Sequence, residues 1–416
     1  MNKRVFFGIA ASAMILLGLQ AFSSPTVKIT KPTLTFTGNG TGAAGITSAA
    51  YATALNTAFA SPEFNTSINK IETDANKQLS SYGSQTQLGL GFGNANAYSA
   101  QSATLQGYQG YKTFAVMGGL MVGAQLPSFD PNQVTKMFDS MATNPDIYAG
   151  LASSVTYLNV GINAETVFGL FSKDLGKTLK NFYFNVKGGG LNQSFDLDST
   201  TKLAMSSTNF GIGANYQFLP CSPSIMFGLF KWRGVNFGTG FNYQANKIDF
   251  TLSMAKIPQT MTGTTYYAPT DVAHAYPVTP TTTFSVTPKV KVGVEMNTFS
   301  IPLEATTSVQ LLWLSNINFG VGADLVFGST NINAIVDSPI TIDSFSGIPA
   351  GSGVTYTTTP GSIAIDASTK GVSPSLARLR IMSGLGLQAG PVKIDIPLYY
   401  YLASGLAFGI SAGIVW

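Results

Sequence analysis

The sequence predicts an all-β protein, a transmembrane antiparallel up-and-down β-barrel of about 12–14 strands with a short N-terminal helical segment. Three observations carry this. Only 10 % of the 416 residues are charged and mean hydropathy is +0.21, whereas roughly 25 % of a soluble domain is charged. No apolar run of about 18 residues lies beyond the N-terminus, which excludes spanning helices. From Thr86 onward apolar residues largely alternate with Gly, Asn, Ser and Thr, the period of strands that meet lipid on one face.

The N-terminus is an address. Lys3 and Arg4 precede an apolar run from Val5 to Leu19, and Ala21 and Ser23 are small residues suited to cleavage after Ser23. Residues 1–23 therefore read as a secretory signal peptide. Cys221 is the only cysteine, so no lipid is attached near the cleavage site and no internal disulfide forms. That is ordinary for a bacterial envelope protein. The formal charge of +4 is small and dispersed, which argues against nucleic acid as a partner.

Residues 24–85 read as an N-terminal helical plug or periplasmic segment. After the Thr/Gly-rich lead Pro25–Gly45, Ile46–Ala60 is alanine-rich. Phe64, Ile68, Ile71, Ala75 and Leu79 then recur at helical spacing, with Ser61 as cap and Pro62 at the first helical position. Apolar helix faces need a surface to bury against, and a barrel lumen supplies one.

Residues 86–416 read as the barrel. Leu88, Leu90 and Phe92 alternate with Gly89, Gly91 and Gly93, opening a candidate strand Gln87–Tyr98. Further candidates are Phe114–Leu126, Ser154–Asn163, Asn181–Gln193, Ser207–Phe218, Val235–Gln244 and Ile248–Met254. Thr287–Asn297, Phe299–Leu311, Ser315–Phe327, Leu376–Gln388, Val392–Leu402 and Gly405–Trp416 complete them. The total is odd, whereas single-chain bacterial barrels have even numbers. A missed strand near Asn331–Ile342 gives about fourteen, and a merger across the phase slip at Asn297–Thr298 gives about twelve. Three stretches share a wording: Asn209-Phe-Gly-Ile-Gly-Ala214, Asn236-Phe-Gly-Thr-Gly-Phe241 and Asn318-Phe-Gly-Val-Gly-Ala323. Each is a strand-level repeat, since a phosphate-binding loop needs Gly-x-Gly-x-x-Gly opening a helix. The long connections Ala255–Phe284 and Gly328–Ser375 belong outside, which sends the last strand from the outer surface to the periplasm.

The chemistry lies in charged residues placed among apolar ones. Lys289, Lys291 and Glu295 alternate with Val290, Val292, Val294 and Met296; Arg378 and Arg380 with Leu379 and Ile381; Lys393 and Asp395 with Val392, Ile394 and Ile396. All seven are expected to face the lumen, either as braces between strands or as a charged constriction that selects solutes. An ion pair from Asp395 to Arg378 or Arg380 is expected across a tight turn. His274 is the only histidine and lies in a Thr/Pro-rich loop, and no His/Cys/carboxylate set has metal-ligand spacing. Asp196 and Asp198 sit where a turn favours Asp. Neither enzyme activity nor a cofactor is expected. Tyr266, Tyr267, Tyr276 and Tyr356 in the long connections suit surface adhesion, and equally suit an unconstrained loop.

The export signal, the alternating strands and the terminal stretch, whose Leu406, Phe408, Ile410, Ala412, Ile414 and Trp416 share one face, together resemble bacterial outer-membrane β-barrel proteins of Gram-negative type. The resemblance implies that Phe408, Ile410, Ile414 and Trp416 form the signal read by the barrel-assembly machinery. It also implies an integral location in the outer-membrane lipid bilayer. A helical segment ahead of about fourteen strands is similar to the long-chain fatty-acid transporter family. That family's Asn-Pro-Ala motif is absent, Asn144-Pro145-Asp146 does not replace it, and no binding residue is carried over. In overall style the chain is also similar to spirochaetal surface barrels and adhesins. The function expected is a porin-like outer-membrane channel or transporter for small solutes, hydrophobic ones included. The alternative is a surface-exposed adhesin or structural outer-membrane protein whose loops bind a host molecule.

Overall fold

The computed structural model describes residues 26–38, 52, 53, 56, 73, 86–100, 113–126, 149–223, 229–262, 266–269, 275–278, 281–348, 353–402 and 405–416. Ahead of the barrel stand β1 (Thr26–Thr30), β2 (Thr33–Gly38) and helix α1 (Thr86–Ser99). Then come β3 (Phe114–Gln125), β4 (Gly150–Asn163), the short helices α2 (Ala164–Phe168) and α3 (Lys173–Leu179), β5 (Phe182–Asp196), β6 (Thr201–Leu219) and β7 (Phe230–Ser253). The next connection holds β8 (Ile257–Thr262), β9 (Tyr266–Pro269), β10 (Ala275–Val278) and β11 (Thr281–Val286). It leads to the long strands β12 (Lys289–Leu311) and β13 (Ser315–Ser346). Another connection holds β14 (Val354–Thr359), β15 (Gly361–Asp366) and β16 (Thr369–Val372), before β17 (Ala377–Ala389), β18 (Val392–Tyr401) and β19 (Gly405–Val415).

A closed antiparallel ring runs β3-β4-β5-β6-β7-β12-β13-β17-β18-β19 and back to β3. Trp416 fastens the seam. Its carbonyl accepts from Thr113 N at 2.7 Å, and its own N donates to the Phe114 carbonyl at 2.8 Å. The ring thus has ten strands, fewer than the 12–14 expected. The difference has three sources. Gln87–Tyr98 is helix, not strand. Val235–Gln244 and Ile248–Met254 are one strand, β7, and Thr287–Asn297 and Phe299–Leu311 are one strand, β12. The missed segment Asn331–Ile342 is no separate stave; it lengthens β13.

Ten strands put the start of β3 and the end of β19 at the same end of the barrel. That end holds 312–314 and 390–391 with the longer 164–181 and 220–229, whereas the other holds the three longest connections, 126–149, 254–288 and 347–376, with the short 197–200 and 402–404. Gly390 adopts a positive φ of 59°, which the two-residue turn into β18 requires. By the usual asymmetry of such barrels the short-turn end is the inner, periplasmic one.

The strands β5, β6, β7, β12 and β13 rise past their neighbours, and their side-chain chemistry inverts on the way. On β12 odd-numbered residues point outward throughout. Nearer the inner end Phe299 and Leu303 are outside while Ser300 and Glu304 are buried inside. Further out Lys289, Lys291 and Glu295 are outside while Val290, Val294 and Met296 are buried. The strand is continuous and in register with β13 along its whole length, so nothing slips at Asn297–Thr298. What changes there is the medium, from lipid to water. β7 and β13 invert at the same level: Phe237 and Phe327 are exposed below it, Lys247 and Asp337 above it. Phe210, Tyr243, Phe299 and Phe327 face one another in a single register row, the aromatic girdle at the outer edge of the lipid-facing band. Phe114, Tyr216, Phe218, Trp313 and Trp416 are exposed near the inner edge.

Above the girdle the five strands form a sheet that β15 and β1 extend along the free edge of β13. Its concave face is an ordinary apolar core. Val294, Met296, Ile332 and Ala334 pack with Leu88 and Phe92 of α1, and Val290 and Val336 with Leu252 and Ile365. Of the helical pair expected over residues 46–81, only Ala52, Thr53, Asn56 and Thr73 are described, each helical. Ala52 packs with Phe36 and Val354 of the β2–β14 pair, and Asn56 bonds both backbone groups of Phe36. Residues 1–23, the stretch Asn144–Asp146 and His274 lie outside the described residues.

Candidate functional site in the lumen

The inward face of the wall is built as rows in which glycine faces a large polar side chain. One row reads Asn215, Gly238, Glu304, Gly322, Arg380, Tyr401, Gly405, Gln125, Gly150, each opposite the next. Gly322 lies between Glu304 and Arg380. Because it has no side chain, the guanidinium passes over it and reaches Glu304 Oε2 at 2.7 Å. A Cβ there would stand 2.9 Å from Arg380 Nε and from the Leu303 carbonyl. Arg380 also lies 3.4 Å from Asp324 Oδ1 and over the Tyr399 ring. The cluster is buried, and its opposite charges lie against one another. Nearer the inner end Lys393 pairs with Asp395 at 3.3 Å.

The helix α1 closes the outer mouth above this cluster. Its fit depends on missing side chains on both partners. A Cβ on Gly91 would meet the Ala149 backbone at 2.2 Å, and one on Gly123 of the wall would meet the Ala95 carbonyl at 2.3 Å. Gly405 leaves the recess that takes the Tyr98 ring. Glycine within a helix costs about 1 kcal/mol against alanine, so this segment is a poor helix alone and is held by the barrel. Tyr98 stacks on Tyr401 with centroids 3.9 Å apart and donates to Gln125 Oε1 at 2.7 Å. Asn96 donates to the Gln244 carbonyl and Thr298 Oγ1 and accepts from Asn246 at 2.7 Å. The last carbonyls find partners in the wall: Ser99 O accepts from Ser154 Oγ at 2.8 Å, and Ala100 O from Lys187 Nζ at 2.9 Å. A cation at a helix C-terminus also suits the helix dipole.

The architecture is that of an outer-membrane β-barrel. A family model described as Lsa36-like matches residues 35–416. The chain belongs to the Lsa36-like family. No curated protein matches it. Among solved structures it is similar to the translocator domain of autotransporter NalP from Neisseria meningitidis, at 9 % identity and a TM-score of 0.27, covering 74 % of this chain and 90 % of that one. The toluene transporter TbuX from Ralstonia pickettii is similar at 8 % identity and a TM-score of 0.23, covering 79 % and 95 %. The toluene transporter TodX from P. putida follows at 8 % and 0.19, covering 79 % and 99 %. At such scores these likenesses decide neither strand order nor activity.

In this member of the Lsa36-like family the seven charges expected in the lumen divide. Arg378, Arg380, Lys393 and Asp395 are buried inside the barrel. Lys289, Lys291 and Glu295 are on its outer surface, above the aromatic girdle, where water and not lipid meets the outward face. The expected pairing of Asp395 with an arginine is corrected as well. Arg380 lies opposite Tyr401 and Asp395 opposite Gly386, so six residues of β17, about 20 Å, separate them. The carboxylates that do hold Arg380, Glu304 and Asp324, were missed. Their signal was present: Glu304 is out of phase with Leu303 and Ala305, and Asp324 stands after the third repeat where the other two have Asn215 and Asn242. Phe408, Ile410, Ile414 and Trp416 are exposed on the lipid-facing side. Among the described residues no three His, Cys, Asp or Glu side chains are placed to share a metal ion.

Proposed function

We propose that the protein acts at the bacterial surface as an outer-membrane barrel whose lumen is closed and whose outer section is the working part. The inversion of side-chain chemistry carries this reading. A sheet with an apolar core and a charged outer face is how a water-soluble domain is built, and here it grows directly from the staves. Such a section presents loops and the edge strand β1 to molecules outside the cell, as an adhesin or structural surface protein does. The C-terminal face of Phe408, Ile410, Ile414 and Trp416 is the segment offered to the barrel-assembly machinery, and Trp416 then fastens the seam.

The test is conductance. The purified full chain in a planar bilayer is expected to show no steady current. A steady current from the unmodified chain would overturn the closed-lumen reading. A gated channel is the second reading, favoured by the lumen itself: Lys187, Glu304, Asp324 and Arg380 beneath α1 form a charged lining. That lining suits a small polar or ionic solute better than a hydrophobic one. Current that appears only when Asn96 and Tyr98 are both replaced by glycine would support α1 as its gate.

A further inference from the structure

We infer that the barrel carries its own N-terminal segment across the membrane, so that residues 26–100 are delivered to the outer side through the lumen. The inference rests on the surface reading for which end faces outward, and then goes further. It starts from where the ends of the segment stand. β1 pairs with β15 from Thr26↔Asp366 to Thr30↔Ser362, and β2 pairs with β14 from Thr33↔Thr359 to Gly38↔Val354. Both partner strands belong to the β13–β17 connection, at the outer end. The first stave begins at the opposite end, where Thr113 N bonds the carbonyl of Trp416.

The helix α1 shows the route between them. Its first half stands against the outer connections: Gly89 lies at Val372, Gly91 at Ala149 and Gly93 at Pro374. Its C-terminal end lies deeper, with Ala100 held by Lys187 inside the ring. Twelve residues, 101–112, then join a lumenal residue to one at the inner rim. Among the described residues every stave is paired with a neighbour on both sides, β4 with β5 over Leu158–Asn163 and Tyr183–Gly188. The described chain thus stands at the outer connections in β1 and β2, inside the ring at Ala100 and at the inner rim at Thr113.

The chemistry of the segment suits that passage. From Gln78 to Tyr111 no side chain is charged, and Pro32 to Pro62 is likewise free of charge. The rest of residues 26–100 carries Lys28, Lys31, Glu63, Lys70, Glu72, Asp74 and Lys77, so it is these two stretches, and not the whole segment, that cross a narrow lumen without the cost of stripping ions of water. The wall contributes the cations, and they hold main-chain oxygens: Lys187 on Ala100 O and Arg378 on Asn94 O at 3.2 Å. Backbone carbonyls are offered by every residue, so such contacts can be made in turn by a chain that slides past. The glycines of α1 keep the occupant thin where it meets the wall.

Single cysteines read out on intact cells test this. Cys221, exposed in the connection between β6 and β7 at the inner end, is the natural inner reference. Thr35 on β2 and Thr357 on β14 are exposed and lie opposite one another. In a Cys221→Ser background, T35C and T357C are made separately and treated with a maleimide carrying a polyethylene glycol chain too large for the outer membrane. The expected result is equal labelling of both on intact cells, with the unmodified chain labelled at Cys221 only after permeabilisation. Labelling of T357C with T35C protected until permeabilisation would overturn the inference and leave the surface reading standing. Protection of T357C with Cys221 labelled would overturn the surface reading itself. The T35C/T357C double variant guards against a local folding defect. Its disulfide, seen as a faster band in non-reducing gels, forms only when both positions reach the same side.

Discussion

Glu304 and Lys291 belong to one unbroken strand, yet one is buried against an arginine and the other points into water. The membrane section and the outer section of this barrel share backbone, register and side-chain direction. They differ in which face meets which medium. In the membrane section lipid takes the apolar residues, and the polar ones turn inward, where they must satisfy one another. In the outer section water takes the charges, and an apolar core forms on the inside. A polar group is therefore structurally demanding below the girdle and close to neutral above it.

The sharpest way to break that contrast is to remove a charge from each section. Arg380→Leu takes away the guanidinium that Glu304 and Asp324 share in the lumen. Breaking a buried pair from one side costs about 3–5 kcal/mol. Lys256 bonds Asp343 at 2.7 Å in the outer section, but both are solvent-accessible, and Lys256→Ala is expected to cost at most about 1 kcal/mol. Urea unfolding of the refolded barrel in lipid vesicles measures both. Similar losses from the two variants would contradict the division between the membrane section and the outer section. Adding Glu304→Leu and Asp324→Asn to Arg380→Leu should restore most of the lost stability.

Adding a charge gives the next largest effect. Leu303 and Asn297 point outward from the same strand, on opposite sides of the girdle at Phe299. Leu303→Lys puts an ammonium into lipid, at about 2–4 kcal/mol for a position near the bilayer midplane. Asn297→Lys puts it into water and should stay within about 0.5 kcal/mol. Loss of heat-modifiable migration in the first variant alone is the simplest readout. Equal tolerance of both would place the outer edge of the lipid band below Leu303.

How much of this was legible beforehand depends on what each pattern reports. Period two reports which residues share a face, and it gave the staves and the outward C-terminal residues. It does not report the medium, so Lys289, Lys291 and Glu295 read as lumenal when the strand had only risen out of lipid. The apparent phase slip at Asn297–Thr298 was that boundary. Alternating glycine misled over Gln87–Tyr98 for a related reason. Glycine at every second position has the look of a strand's small face, and propensity argues against a helix. The decision belongs to a tertiary constraint, the need for a thin body against the backbones of Ala149 and Gly123, which the segment itself does not state. The pairing of Arg380 with Glu304 was hidden because register across three strands cannot be read from any one of them.

Glycine substitutions probe the same contrast more gently. Gly322→Ala in the membrane section sets a methyl 2.9 Å from the Leu303 carbonyl, a backbone atom with nowhere to go, and from the buried Arg380. Overpacking of this kind costs about 1–3 kcal/mol. Gly293→Ala in the outer section brings its methyl nearest to the carboxylate tip of Asp249, which is partly exposed and can swing into water. The expected change is within about 0.5 kcal/mol. Equal losses would mean that the outer strands are packed as tightly as the lumen.

The smallest effect concerns the outer turn between β5 and β6, where an ionised carboxylate works without any burial. Asp198 Oδ1 accepts from Thr200 N, Thr200 Oγ and Thr201 N, each at 2.7 Å. Those donors favour the charged form and hold its pKa down at about 2, from an ordinary value of 3.8. A depressed carboxylate pKa means that the turn is supported above the ordinary value and released as pH falls through the lower one. Between these limits, acid should leave the turn intact in the unmodified chain. Asp198→Asn keeps the shape but accepts less strongly, so amide exchange at Thr200 and Thr201 should quicken at neutral pH with no change in heat-modifiable migration. Had the turn been part of the cooperative barrel, the same substitution would shift global unfolding; confinement of the effect to the turn shows the outer rim moving independently of the lumen.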